Sequence, residues 1–172
     1  AERETEVTLA TAADLVMEII IRGGARAIYH AMDEADVERI MRHPVTAIGS
    51  DGGVSVFGQS VPHPREYGTF ARVLGRYVRE REVLTLEEAV RKMSGATAQR
   101  LGLQDRGVLR EGLFADIAVF DPATIQDRAT FVEPHQYAEG VEYVLVNGTL
   151  VVDGGRHTGA RPGRVLYGPG QR

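Results

Sequence analysis

The sequence contains no cysteine among its 172 residues, which excludes disulfide bonds and thiolate metal ligands. It also lacks any apolar run of the ~20 residues that a helix needs to cross a bilayer, so we expect no membrane partner. The net charge is -4 and the pI is near 5.8, which argues against a nucleic-acid partner because such proteins usually present a basic face. Lysine is nearly absent too, since Lys92 is the only one.

The first four residues, Ala-Glu-Arg-Glu, include neither an initiator methionine nor a signal-peptide pattern. We expect a cytoplasmic protein, and a chain that begins partway through a longer one. With 43% hydrophobic residues and no long low-complexity tract, the chain is predicted to be globular.

The stretch around which the chain is organised is residues 45–53, an apolar run that ends in Asp51 and two glycines. Pro44 bounds the run on its other side, and this pattern is typical of a parallel strand buried on both faces. Asp51 would then lie at the carboxyl end of the strand, where α/β proteins place their chemistry. On local pattern alone, however, a simple Asp-Gly turn is the favoured interpretation.

Helices and strands are predicted to alternate around this stretch. A helix begins near Thr11, where Asp14 would complete a capping box, and ends at Gly23-Gly24; a short strand follows over residues 25–30. A second helix spans residues 33–42, with acids in its first turn. Strand 45–51 and a long loop, residues 52–68, come next. The order predicts part of a parallel sheet, for which two strands alone are too few.

The loop 52–68 holds His63, Arg65 and Tyr67 within five residues, and long loops are often functional. The simpler interpretation is a surface loop stiffened by prolines. After it we predict a helix from Thr69, with Phe70, Val73, Leu74 and Tyr77 on one face. A further helix begins at a second capping box, Thr85 with Glu88, and places Leu86, Ala89, Val90 and Met93 inward. A third runs from about Ala96 to Leu101.

The character of the chain changes after Leu103. Glycine-bounded strands are predicted over residues 116–120, 141–146 and 149–153, and Asn147-Gly148 predicts a type I′ hairpin turn between the last two. We place a boundary near residue 104, with α/β structure before it and β structure after it.

Known catalytic motifs are almost absent from the sequence. The five histidines form no His-x-His or His-x-x-x-His pair, and neither a Gly-x-Ser-x-Gly elbow nor a P-loop is present. The residues alone therefore offer half a site: one carboxylate at a strand end and one arginine-bearing loop.

A set of motifs, taken together, resembles the N-acyl-D-amino-acid deacylase (D-aminoacylase) branch of the amidohydrolase superfamily. They are residues 45–52, His63-Pro64-Arg65-Glu66-Tyr67-Gly68-Thr69-Phe70, Arg72-Val73-Leu74-Gly75, residues 87–93, Leu101-Gly102-Leu103, Asp105-Arg106-Gly107, Gly112, Ala115-Asp116, Phe120-Asp121-Pro122 and Val146-Asn147-Gly148. The resemblance extends from about Thr11 to Leu166.

This resemblance implies a fold of α/β plus β class: the C-terminal fragment of a metal-dependent (β/α)8 barrel followed by strands of a small β-sandwich. Residues 1–104 would supply the last two barrel strands and their helices, and residues 105–172 the sandwich strands. It also implies zinc as the cofactor, an N-acyl amino acid as the small-molecule ligand, and the N-terminal remainder of the enzyme as a partner. Most of the family's metal ligands have no counterpart in this chain.

Four residues acquire expected roles from the resemblance. Asp51 matches the catalytic aspartate that moves a proton from water to the departing nitrogen, and the same carboxylate is a candidate metal ligand. Arg65 matches the arginine that holds the substrate's α-carboxylate. Met32 resembles a residue lining the side-chain pocket, and His63 belongs to the Arg65 motif.

Three interpretations remain open: a zinc-dependent deacylase of N-acyl-D-amino acids, an amidohydrolase acting on another linear or cyclic amide, and a non-catalytic assembly module. Arg65 favours the first over the second, because it suits a free carboxylate. We expect the isolated chain to be inactive, since a missing metal removes the nucleophile. We also expect homo-oligomers, because uncovered strand edges and apolar faces favour association.

Overall fold

The computed structural model describes residues 8–24 and 31–167. The chain divides into two compact units, Ala1–Asp33 and Glu34–Arg172. The elements in chain order are helices α1 (Leu9–Ile21), α2 (Glu34–Arg42) and α3 (Arg65–Arg72), a π-helical segment (Val73–Glu80), helices α4 (Leu86–Met93) and α5 (Gly95–Arg100), and strands β1 (Ile117–Phe120), β2 (Val141–Val146), β3 (Thr149–Asp153) and β4 (Arg156–His157).

Helix α1 of the first unit begins two residues earlier than Thr11. Thr8 is its N-cap, and Thr8 and Thr11 bond each other's backbone N–H groups in a reciprocal capping box, so the expected cap at Thr11 with Asp14 is wrong. The threonine hydroxyl performs the acceptor role that we assigned to the carboxylate. The helix ends as predicted before Gly23, whose φ is 106°. The strand predicted for residues 25–30 lies outside the described residues.

Helix α2 opens the second unit close to where it was predicted, with Glu34 and Asp36 in its first turn and Arg42 in its last. The buried strand predicted over residues 45–51 is wrong: these residues adopt no strand, and Val45 is 83% exposed. A parallel strand forms only beside hydrogen-bonding neighbours. In the part of the chain that the structure describes, the sheet contains strands from residues 117–157 and none from this stretch.

Helix α3 begins at Arg65, four residues before the predicted start, so the loop is shorter than we expected. Pro64 occupies the N-cap position, and proline is well suited to the start of a helix because its φ is already helical. The π-helical segment continues α3 directly and buries Val73, Leu74 and Tyr77 as predicted, whereas Phe70 is 46% exposed.

Helices α4 and α5 lie where the sequence predicted them. The Thr85 hydroxyl accepts a hydrogen bond from the Glu88 N–H at 3.2 Å, so Thr85 is the N-cap of α4. Ala89 of this helix is fully buried, although Val90 is 39% exposed. None of the described helices is long and apolar enough to cross a membrane.

Strands β1 to β4 form one antiparallel sheet in sequential order. The hairpin between β2 and β3 is as predicted: Val146 pairs with Thr149, and Asn147 and Gly148 have φ values of 49° and 78°, as a type I′ turn requires. The apolar core lies mainly beneath the π-helical segment and α4. It consists of Ala71, Val73, Leu74, Tyr77, Val83, Leu84, Ala89 and Ile125, and Ile48 and Val141 pack against it.

Candidate active site

Asp51 and Arg65, which the sequence analysis singled out separately, form an ion pair. The Arg65 Nη2 lies 2.9 Å from the Asp51 Oδ2, and the two side chains are 42% and 87% exposed. Asp51 adopts a φ of 48°, a left-handed conformation that aspartate tolerates better than most residues. The site is therefore an accessible carboxylate beside a guanidinium.

The two glycines after Asp51 allow the chain to pass close to the start of α3. A Cβ on Gly52 would lie 3.1 Å from the Cα of Glu66, and one on Gly53 would lie 3.5 Å from the Glu66 carboxylate. The Ser55 hydroxyl then donates to that carboxylate at 2.6 Å. These contacts hold the backbone against the first turn of α3, and so bring Asp51 to Arg65.

His63 fixes the backbone just ahead of Arg65. Its Nδ1 accepts a hydrogen bond from the Arg65 N–H at 3.1 Å, and its ring meets Phe131 edge-on, with centroids 5.1 Å apart. Burial lowers the pKa of His63 and the Arg65 charge lowers it further, against the opposing effects of Glu66 and Asp51. A neutral imidazole keeps Nδ1 free to accept.

Met32 is 82% exposed and belongs to the first compact unit, Ala1–Asp33. Its expected place in the side-chain pocket stays a prediction.

A second cluster near the site was missed by sequence reasoning. His135 holds the loop 52–64: its Nδ1 accepts from the Gly58 N–H at 3.2 Å, and its Nε2 lies 3.1 Å from the Ser60 carbonyl. Because Nδ1 accepts an N–H, the proton must be on Nε2, which donates to Ser60. The Tyr67 hydroxyl also lies 2.9 Å from Nδ1.

Aromatic packing also holds the loop 52–64 beside His135. The ring of Phe57, from the loop, stacks on Tyr137 with centroids 5.0 Å apart and meets Tyr67 edge-on at 6.1 Å. Burial raises the pKa of Tyr67, and Tyr137 and Glu66 raise it further, so the hydroxyl keeps its proton. Tyr67 and His135 are 68 residues apart, and a local sequence pattern gave no signal that they would meet.

The described side chains include one candidate zinc ligand but no complete metal site. Within residues 8–24 and 31–167, no group of three or more His, Asp or Glu side chains converges on a common point. Asp51 fits a zinc site as a single ligand, because carboxylate oxygen is an accepted zinc donor and its side chain is exposed. A complete zinc site needs further ligands from outside these residues.

Comparison with known proteins finds similarity to amidohydrolases throughout. The model of the amidohydrolase family matches residues 4–152. The chain is 50% identical over 142 residues to the N-acyl-D-aspartate deacylase of Alcaligenes xylosoxydans xylosoxydans, covering 83% of this chain and 28% of that protein. It is 51% identical to the D-aminoacylase of the same organism, again over 142 residues, with coverages of 83% and 29%. The chain thus spans less than a third of the relatives it matches.

Solved structures agree with these relatives. A crystal structure of D-aminoacylase superposes with a TM-score of 0.76 at 43% identity, covering 86% of this chain and 32% of that one. The N-acyl-D-glutamate deacylase of Bordetella bronchiseptica, solved with zinc and a phosphonate inhibitor, gives 0.67 at 50% identity, covering 72% and 25%. Since the family model matches most of the residues, and the fold agrees with that of its members, this chain belongs to the amidohydrolase family.

Proposed function

We propose that this chain forms part of a zinc-dependent hydrolase that cleaves N-acyl-D-amino acids to a D-amino acid and a carboxylate. The observation that supports it best is the pair of Asp51 and Arg65, 2.9 Å apart, in a chain that is half identical to deacylases of this kind. One residue suits proton transfer and the other suits a carboxylate ligand. Together they suit the binding and cleavage of an amide that carries a free α-carboxylate.

Asp51 is the proposed general base and acid. Its exposed carboxylate can accept a proton from the attacking water and return it to the departing nitrogen, which is the task of a positioned acid–base group. A bound zinc ion would supply Lewis-acid activation of the water and the amide. Asp51 is also the proposed ligand that this chain contributes to that ion.

Arg65 is the proposed anchor for the substrate's α-carboxylate. A guanidinium binds a carboxylate through two parallel hydrogen bonds, and Arg65 already holds a carboxylate, that of Asp51. A substrate carboxylate would therefore replace Asp51 at the guanidinium and leave the base free for proton transfer. His63 orients this arginine through its backbone N–H, and Met32 is the proposed contact for the substrate side chain.

The proposed architecture assigns residues 1–104 to the end of a (β/α)8 barrel and residues 105–172 to a β-sandwich. Helices α2 to α5 all precede residue 104, and strands β1 to β4 all follow it, which supports the assignment. An apolar cavity of about 980 Å³, lined by residues such as Phe70, Val90, Ile117 and Phe120, lies in the second unit. The N-terminal remainder of the enzyme is the proposed partner that would cover such apolar surface.

The test uses the complete protein that contains this chain, supplied with zinc, and compares hydrolysis of N-acetyl-D- and N-acetyl-L-amino acids. D-selective turnover is expected. Asp51→Asn should lower kcat by about 10²–10⁴-fold, because it removes an acid–base group. Turnover without D-selectivity, or an undiminished kcat in this variant, would contradict the proposal.

Asp127→Asn is the matched control. Asp127 also pairs with an arginine, since its Oδ2 lies 3.0 Å from the Arg72 Nη1, but that pair takes no part in the proposed site. The substitution should leave kcat within about twofold, because it removes no group from the proposed site. The purified 172-residue chain should show no turnover at all.

A further inference from the structure

Lys92, the only lysine of the chain, is wholly buried in α4. A buried ammonium is costly unless hydrogen bonds and a counter-charge compensate it. The Nζ of Lys92 donates to the His43 carbonyl at 2.5 Å and to the Thr46 carbonyl at 3.1 Å, and lies 3.4 Å from the Glu88 carboxylate. The charge is therefore fully compensated, chiefly by backbone carbonyls.

The two carbonyl acceptors lie between α2 and Asp51, in residues 43–51, which we name the Asp51 segment. A second cation of α4 bonds the same segment, since the Arg91 Nη2 donates to the Pro44 carbonyl at 2.8 Å. The backbone takes part as well, because the Ile48 N–H donates to the Lys92 carbonyl at 3.3 Å. Four residues of the segment are thus attached to the last turn of α4: His43, Pro44, Thr46 and Ile48.

Glu88 contacts both cationic side chains, those of Arg91 and Lys92. Its carboxylate makes two hydrogen bonds to Arg91, at 2.6 and 2.8 Å, and faces the Lys92 ammonium. We name Glu88, Arg91 and Lys92 the α4 clamp. In the described residues, where the Asp51 segment pairs with no strand, these three side chains hold it against α4.

We propose that Lys92 is a positioning residue for Asp51, a role that rests on the proposed function of that carboxylate. Ile48, the last clamped residue, also packs against the core and is only three residues before Asp51. A carboxylate on a chain released at this point would shift from its place beside Arg65. The catalytic rate depends strongly on the position of such a group, since a shift of about 1 Å can lower it about 10²-fold.

The test is Lys92→Met in the complete zinc-loaded protein, since methionine is an unbranched side chain one heavy atom shorter than lysine and carries no charge. We expect kcat to fall by about 10²-fold while KM stays within about twofold, because Arg65 still binds the substrate. Arg79→Met is the matched control: Arg79 also donates to two carbonyls, those of Ile125 and Pro122, at 2.7 and 3.2 Å, but away from the Asp51 segment. It should leave kcat unchanged. Equal losses in the two variants, or an unchanged kcat in Lys92→Met, would overturn the proposal.

Amide hydrogen exchange provides a readout that does not depend on the substrate. Lys92→Met should accelerate exchange of the Ile48 amide by about tenfold or more, and Arg79→Met should not. If the complete protein cleaves no N-acyl-D-amino acid, the proposed function fails, and the clamp is judged by this exchange alone. Unaltered Ile48 protection would overturn it.

Thr46→Val is the milder variant for the case in which Lys92→Met does not fold. The Thr46 hydroxyl accepts from the Lys92 Nζ at 3.3 Å and lies 2.8 Å from both the Ile40 and the His43 carbonyl oxygen, to either of which it can donate. Valine keeps the shape of the side chain. The same fall in kcat with a constant KM, together with faster Ile48 exchange, supports the proposal. Wild-type values for kcat and exchange in this variant would reject it.

Discussion

The β2–β3 hairpin and the Asp51 segment are both apolar stretches next to Asx-Gly pairs, but only the hairpin forms strands. The hairpin finds its partner across a two-residue turn, because Asn147 and Gly148 both adopt the positive φ that reverses the chain. The Asp51 segment is held by the ends of side chains from α4. An antiparallel strand can be specified locally, whereas a parallel strand needs neighbours that are distant in sequence.

The same contrast separates stability from chemistry. Stability resides in close packing around Ile125, which is 2% exposed, and the candidate chemistry resides in an exposed ion pair. Substitutions in the packed region should therefore lower the free energy of unfolding, and substitutions at the ion pair should change activity with little effect on folding.

The largest effect is expected at Gly140. It has a φ of 82°, and a Cβ there would lie 2.5 Å from both the Cα and the N of Ile125. Relieving this overlap would require the main chain at Gly140 or at Ile125 to move. Gly140→Ala should lower the free energy of unfolding by at least about 3 kcal/mol, as measured by urea denaturation.

Gly148→Ala is the control for that measurement. Gly148 has a similar φ of 78°, but nothing lies within 4 Å of its Cβ position. Its cost should be only about 1–2 kcal/mol, the strain of a left-handed alanine. Equal costs at the two glycines would show that the backbone contact with Ile125 is unimportant.

An intermediate effect is expected at the loop anchor. His135→Ala removes the acceptor of the Gly58 N–H and the donor to the Ser60 carbonyl, so the loop 52–64 should open more often. Amide exchange at Gly58 should accelerate about tenfold, which corresponds to about 1.4 kcal/mol for the lost bonds. Tyr67→Phe removes one bond to the same ring and should accelerate exchange less. Equal rates in wild type and His135→Ala would contradict the anchoring role.

A smaller, pH-dependent effect is expected at Glu88. Hydrogen bonds from Arg91 lower the pKa of Glu88 from 4.5 to about 2. Because the folded pKa is the lower one, the ionised carboxylate stabilises the fold above pH 4.5, and this stabilisation is lost as the pH falls toward 2.

The measurement is the difference in unfolding free energy between wild type and Glu88→Gln, taken at pH 6 and near pH 2.5. The difference should shrink at the lower pH. Glu87→Gln, at an exposed neighbouring position, controls for general acid effects. A difference that does not vary with pH would rule out ionised Glu88 as a source of stability.

The smallest effect on folding is expected at Asp51. Its side chain is 87% exposed, and an ion pair in such a position contributes little. Asp51→Asn should change the free energy of unfolding by less than about 0.5 kcal/mol, even though we expect it to abolish most of the activity. A large loss of stability would mean that the pair is structural.

The elements that the sequence predicted correctly are those whose capping or turn residues lie within a few positions of one another. Thr85 lies three residues before Glu88 and caps α4, and Asn147-Gly148 sets the hairpin register. Helix α3 begins earlier than predicted, at Arg65, because Pro64 and its neighbours resemble a loop in sequence, although proline also suits the start of a helix.

The candidate site was predictable only in part. Asp51 and Arg65 were found through a family resemblance, and nothing local in the sequence indicated the ion pair between them. The clamp was missed because the lysine appears unremarkable beside Arg91 on the helix, and only burial reveals its contacts with residues 43 and 46. Such contacts depend on how distant segments pack, which periodicity does not record.

The burial of Lys92 has a practical consequence for labelling this chain. Amine-directed reagents will find one ε-amino group, and it is inaccessible while α4 holds the Asp51 segment. Incorporation of a label at Lys92 would therefore report release of that segment directly, by mass, in any preparation of these 172 residues.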